Sequence, residues 1–112
     1  MKKTISLAEN YLFKRLYRTG KSVVTPYLVV YFAKNRKAVN RLGITATKKI
    51  GKAVARNRAR RVIREAYRLL EDKMPTGIDI VIVARTKATC ATMQEVKRSM
   101  LNAFFQLHVI SK

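Results

Sequence analysis

The run Ala55-Arg56-Asn57-Arg58-Ala59-Arg60-Arg61-Val62-Ile63-Arg64-Glu65-Ala66-Tyr67-Arg68 concentrates arginine as no other part of the chain does. A planar guanidinium grips phosphate oxygens through two parallel N–H groups and stacks on bases, so this is chemistry for holding a polyanion. On a helix at about 100° per residue, Ala55, Ala59, Val62, Ile63, Ala66, Leu69 and Leu70 share one stripe. Asn57, Arg60, Arg61, Arg64 and Arg68 take the opposite face, and Arg56 and Arg58 flank it. The arrangement is locally unfavourable: Arg60/Arg64 and Arg64/Arg68 are like-charge i,i+4 pairs, each destabilising by roughly 0.2–0.5 kcal/mol. Solvated helix faces usually mix signs, whereas this one carries the single acid Glu65 among its bases. Lys48, Lys49 and Lys52 extend the positive surface ahead of the helix, and Gly51 lets backbone approach a neighbour closely.

Aromatic residues form the second chemical set. Phe13 and Tyr17 stand one helical turn apart, a spacing that suits either a core or a stacking platform. In the segment Tyr27–Ala33, alternation puts Leu28, Val30 and Phe32 on one face and Tyr27, Val29 and Tyr31 on the other. Because the first three already supply a core face, Tyr31 is the aromatic best placed to meet a ligand. Tyr67 flanks the apolar stripe of the arginine helix and reads as packing.

Catalytic groups are scarce. Metal-assisted phosphodiester cleavage needs clustered carboxylates. The acids Glu9, Glu65, Glu71, Asp72, Asp79 and Glu95 are scattered apart from the adjacent Glu71 and Asp72 at a helix end. His108 is the only histidine, so a two-histidine acid–base mechanism is impossible within one chain. The lone Cys90 lacks a triad and rules out an internal disulfide or a multi-cysteine zinc site. No protein active site and no intrinsic cofactor are expected.

The elements that would position these groups can be read in order. Ser6 and Glu9 have capping-box spacing ahead of a helix from about Leu7 to Arg18, stopped at Gly20. Pro26 opens the strand Tyr27–Ala33, with Val23 and Val24 in a possible further short strand. Asn35–Asn40 reads as a basic turn or hairpin loop, and a strand from about Arg41 to Thr47 follows. The arginine helix runs from about Ala53 to Lys73 and ends before Pro75 and Gly77. Ile78–Ala84, apolar and β-branched, has the pattern of an internal strand covered on both faces. Thr92 and Glu95 repeat the capping-box spacing before a last helix to about His108, with Val96, Met100, Ala103, Phe104 and Leu107 on one side. This predicts an α/β fold, a single-domain two-layer sandwich over residues 1–112 with about four strands packed against helices.

The chain has 112 residues, 25 Lys and Arg against 6 Asp and Glu, and a net charge of +19. Nearly half the residues are hydrophobic, so this is a folding sequence and not a disordered polycation. Self-repulsion of that size calls for a polyanionic partner. No apolar run approaches the roughly 20 residues of a membrane span. The opening Met-Lys-Lys lacks the apolar stretch of a signal peptide, and cytoplasmic nucleic-acid binding is the expectation.

The string from Ala55 to Glu65, preceded by Gly43-Ile44-Thr45-Ala46-Thr47 and Lys48-Lys49-Ile50-Gly51, closely resembles the arginine-asparagine-arginine motif of the bacterial ribonuclease P protein family. The likeness extends over nearly the whole chain, including Phe13, Tyr17, Gly20-Lys21 and Ile80-Val81-Ile82-Val83-Ala84-Arg85. It implies a ribosomal-protein-like fold with a left-handed βαβ crossover. It also implies that Lys48, Lys49, Lys52, Arg56, Asn57, Arg58, Arg60, Arg61, Arg64 and Arg68 bind a catalytic RNA subunit. Phe13, Tyr17, Tyr27, Val29, Tyr31 and Arg85 would line a groove for the single-stranded 5′ leader of precursor tRNA. Tyr17 replaces the family's more usual phenylalanine, a change that keeps the stacking face. Hydrolysis would fall to the RNA and its magnesium ions, with no obligate protein partner and no membrane. Composition alone fits a structural RNA-binding protein of ribosomal type equally well; the string from Lys48 to Arg68 argues against that alternative. The acid census argues against a self-sufficient nuclease. A membrane-surface binder would want its arginines beside exposed apolar residues.

Overall fold

A computed structural model describes residues 3–110. The elements in chain order are β1 (Thr4–Ser6), α1 (Asn10–Thr19), β2 (Lys21–Val24), β3 (Leu28–Lys34), β4 (Asn40–Thr45), α2 (Ala53–Leu70), β5 (Ile78–Ala84) and α3 (Met93–Gln106). Short 3₁₀ turns occupy Lys48–Ile50, Glu71–Lys73 and Thr86–Thr89.

The fold class is α/β as expected, but the sheet has five strands in the order β1-β4-β5-β3-β2. β1 pairs parallel with β4 and β4 parallel with β5, whereas β3 runs antiparallel to both β5 and β2. The extra strand comes from Ser6, which lies in β1 opposite Leu42 and so does not cap a helix. α1 starts later, at Asn10, with Glu9 in the N-cap position and no side-chain cap. Val23 and Val24 do belong to a strand, β2. Asn35–Asn40 is no hairpin loop, because β5 lies between β3 and β4. The parallel connection from β4 through α2 to β5 is the crossover unit, and it carries the arginine string.

Two apolar clusters lie on opposite faces of the sheet. On one, Leu28, Val30, Ile80 and Ile82 pack with Ala59, Ile63, Ala66, Tyr67 and Leu70 of α2 and Val96, Met100, Ala103 and Phe104 of α3. Tyr67 is fully buried, with its ring edge-on to Phe104 at 6.5 Å and its hydroxyl sharing a 2.9 Å hydrogen bond with Thr4. Leu69, assigned to the stripe by the wheel, is instead 43% exposed, since Tyr67 and Leu70 fill that edge of the contact. On the other face, Leu12 and Leu16 of α1 meet Leu7 and Val81, with Phe13, Tyr31, Ala33 and Val83 half-buried around them. One short helix covers only part of a five-stranded face, and the uncovered part is where a ligand can enter.

The buried Asp79 holds that face together at one end. It accepts from Arg41 Nε and Nη2, both at 2.7 Å, and from Asn35 Nδ2 at 2.8 Å. A buried carboxylate is tolerable only when paired and fully hydrogen-bonded in this way.

Candidate nucleic-acid interface

α2 needs a firm start because its first turn carries no acid to offset the helix dipole. Gly51 supplies the turn into it, at φ 143°, a backbone conformation that favours glycine. The 3₁₀ turn before it keeps Lys48 and Lys49 exposed, and Lys52, at the N-cap, is exposed as well.

The six arginines of α2 divide by what their guanidiniums touch. Arg58 donates to the backbone carbonyls of Thr89, at 2.9 Å, and Ala91, at 3.0 Å. It therefore clamps the segment leading into α3 onto α2. Arg60 donates to Ala46 O and to Asn57 Oδ1, each at 3.2 Å, tying α2 to the chain just beyond β4. Arg68 pairs with Glu65 at 2.9 Å on the exposed surface, and this pairing lowers the Glu65 carboxyl below the ordinary carboxylate range. The guanidiniums of Arg56, Arg61 and Arg64 make no hydrogen bond or ion pair among the described residues, which leaves their donors available to phosphate. The helical wheel placed Arg58 beside the rail; the fold turns it inward toward carbonyls that lie more than thirty residues along the chain.

The aromatic groups assemble as well, with one exception. Phe13 and Tyr17 have ring centroids 6.4 Å apart, and Tyr17 meets Tyr31 edge-on at 4.9 Å. Tyr17 is 42% exposed, and Val29 and Tyr31 are half-buried beside it on the same sheet face. A hollow of about 300 Å³ lined by Asn10, Phe13, Lys14, Tyr17 and Thr45 opens next to these rings. Tyr27 lies elsewhere. Thr25 Oγ1 accepts from the backbone N–H groups of Tyr27 and Leu28, and this tight turn breaks the alternation just before β3. Tyr27 consequently packs with the α2–α3 cluster and donates its hydroxyl to Glu95 Oε2 at 2.8 Å. Arg85 reaches the same turn, donating to Thr25 O at 2.8 Å, and with Pro26, Thr86 and Lys87 it lines a separate hollow.

Glu95 also completes the capping box of α3: its N–H donates to Thr92 Oγ1, and its carboxylate accepts from the Thr92 N–H. That backbone bond, with the Tyr27 hydroxyl next, lowers the pKa of the Glu95 carboxyl. Among the described residues no group of three or more His, Cys, Asp or Glu side chains could hold a metal ion. No described helix is long and apolar enough to cross a membrane.

A cationic helix standing beside a partly covered, aromatic-lined sheet defines a small α/β protein built for RNA. Residues 1–108 match the family model described as Ribonuclease P. The chain belongs to that family. It is 43% identical to the ribonuclease P protein component of Clostridioides difficile (strain 630) over 101 residues, covering 89% of each chain. With the component of Thermoanaerobacter sp. (strain X514) the identity is 42% over 99 residues, 88% of this chain and 85% of that one. The solved Staphylococcus aureus ribonuclease P protein superposes with a TM-score of 0.83 at 32% identity, covering 95% of this chain and 97% of that one. The Thermotoga maritima protein gives 0.71 at 35% identity, covering 83% and 86%.

Proposed function

We propose that this protein subunit, working with the ribonuclease P RNA, binds the 5′ leader of precursor tRNA while the RNA performs the hydrolysis. The observation that carries this reading is the pairing of two unlike surfaces on one small fold. One is the free guanidiniums of Arg56 and Arg61 with Lys48, Lys49 and Lys52 on α2 and its approach; the other is the Phe13–Tyr17–Tyr31 ring set on the α1 face. The first suits a folded RNA backbone, where charge and bidentate contacts matter most. The second suits unstacked bases of a single strand, because every base offers a π-face whatever its sequence. Tolerance of sequence is what one subunit serving many precursors requires.

Within this reading the protein supplies no catalytic residue. Its scattered carboxylates leave divalent ions, magnesium above all, to the RNA, and its charge lowers repulsion between two polyanions brought into contact. The cytoplasm, where precursor tRNA is made, is the compartment that suits this work. Asn57 and Arg68 stand at the margins of the RNA-binding surface, while Arg58 and Arg60 support it from beneath. Val29 floors the leader groove, Arg85 extends it along the β2–β3 turn, and Tyr27 acts from the far side by holding that turn to α3.

Replacing Tyr31 with Ala tests the leader assignment. Affinity of the assembled enzyme for precursor tRNA should fall by about 1–3 kcal/mol, the usual worth of one stacked base, with affinity for leaderless tRNA unchanged. Equal losses for both substrates would make Tyr31 a packing residue.

A further inference from the structure

β1 is only three residues long, and its shortness exposes something. Leu7 N–H donates to Leu42 O at 2.9 Å, and beyond that bond the chain leaves the sheet for α1. Backbone groups alternate sides along a strand, so Ile44, two residues past Leu42, presents its N–H and C=O on the same edge, where β1 no longer covers them. A hollow of about 290 Å³ lies at this edge, lined by Ser6 and Leu7, by Gly43 and Ile44, by the ring of Phe13 and by Arg64. Phe13 also lines the hollow beside Tyr17, so its ring is the wall shared by the two.

We propose that this hollow is a nucleotide-binding site continuing the leader groove, with Arg64 holding a phosphate and the open edge of Ile44 reading a base. It rests on the leader-binding reading above. The chemistry of each part matches a nucleotide. A guanidinium with no internal partner binds a phosphate oxygen bidentately. An aromatic ring offers a stacking face. A main-chain donor and acceptor side by side match the paired donor and acceptor on a base edge, a feature the ring set around Tyr17 lacks. The site gives Arg64 a different task from Arg56 and Arg61: it is the junction between the arginine helix and the aromatic groove. An unpaired strand edge could also receive a peptide strand, but Arg64 and the net charge of +19 favour an anionic occupant.

The test uses the complex of protein and RNA subunit and a set of precursor tRNAs whose leaders are shortened one nucleotide at a time. With the unaltered protein, affinity should fall in steps, one of them at the nucleotide seated in this hollow. Arg64→Ala should remove that one step, a loss of roughly tenfold, as for a single charge-assisted contact, and leave the other steps and leaderless tRNA unaffected. Ser6→Asp, which sets a carboxylate at the exposed rim without disturbing the core, should remove the same step. If Arg64→Ala leaves every step intact and weakens binding of the RNA subunit, Arg64 belongs to the rail and the site is refuted while the leader reading stands. If it changes no RNA affinity at all, the open edge is left to a protein strand and the nucleotide assignment is refuted. Absence of any leader-dependent step in the unaltered complex would refute the leader reading itself.

Discussion

The ring of Phe13 lies directly on the backbone of Gly43, so close that a Cβ at position 43 would stand 2.5 Å from Phe13 Cζ and 2.6 Å from Cε1. Glycine is needed there for space. The contact sets the height of the ring over the sheet, and with it the wall between the two hollows on this face.

Gly43→Ala is expected to push Phe13 off the sheet. Overpacking of this kind costs about 1–3 kcal/mol of stability. The affinity of the assembled enzyme for precursor tRNA should fall toward that for leaderless tRNA, and the affinity of the protein for the RNA subunit should hold. Denaturant unfolding together with binding of the two substrates checks both halves.

Arg58 and Arg61 carry the same charge on the same helix and should behave oppositely. Arg58→Ala removes the donor to the part-buried carbonyls of Thr89 and Ala91, and water replaces it only in part, so the cost should approach about 1 kcal/mol or more, the low end for a stranded group. Thermal unfolding should drop clearly, and the salt dependence of RNA-subunit binding should keep its slope. Arg61→Ala touches nothing internal and should change stability by no more than about 0.5 kcal/mol. Its salt slope should flatten by about 0.7–0.9 log units, the signature of one lost phosphate contact.

Glu95 predicts a pH dependence. Its folded-state carboxyl is more acidic than in the unfolded chain, first because of the Thr92 backbone N–H and then the Tyr27 hydroxyl. A depressed carboxyl contributes stability that is present above its unfolded value and is lost as pH falls through its folded value. Thermal melts should therefore decline below the ordinary carboxylate range, and Glu95→Gln should lower stability near neutrality while flattening that acid limb. An acid limb identical in the variant would remove Glu95 from the account.

The two capping boxes show what sequence could and could not say. Thr92 and Glu95 form the box that their spacing promises, because nothing competes for Thr92. Ser6 and Glu9 have the same spacing, but Ser6 is claimed by pairing with Leu42, a partner 36 residues away that local pattern cannot reveal. Tyr27 fails for a similar reason. Alternation assigned it to the Tyr31 face, and the Thr25 turn rotated it to the other. The apolar side of α2 was legible from its helical period, and so was the covered strand Ile78–Ala84. The division of the arginines was not. Whether a guanidinium faces a phosphate or a carbonyl depends on where the chain returns, and Arg58 meets its carbonyls only because α3 packs against α2. The open edge at Ile44 has no signature in composition or period, since it depends on where β1 stops.

The central claim is that this protein assists an RNA catalyst and does not cleave by itself. Precursor-tRNA cleavage at low magnesium, with protein alone, RNA subunit alone and both together, tests it most directly. The account predicts 5′-leader removal only when both are present. Cleavage by the protein alone would contradict it and return attention to Glu71, Asp72 and His108; no stimulation by the protein would leave the structural RNA-binding alternative in its place.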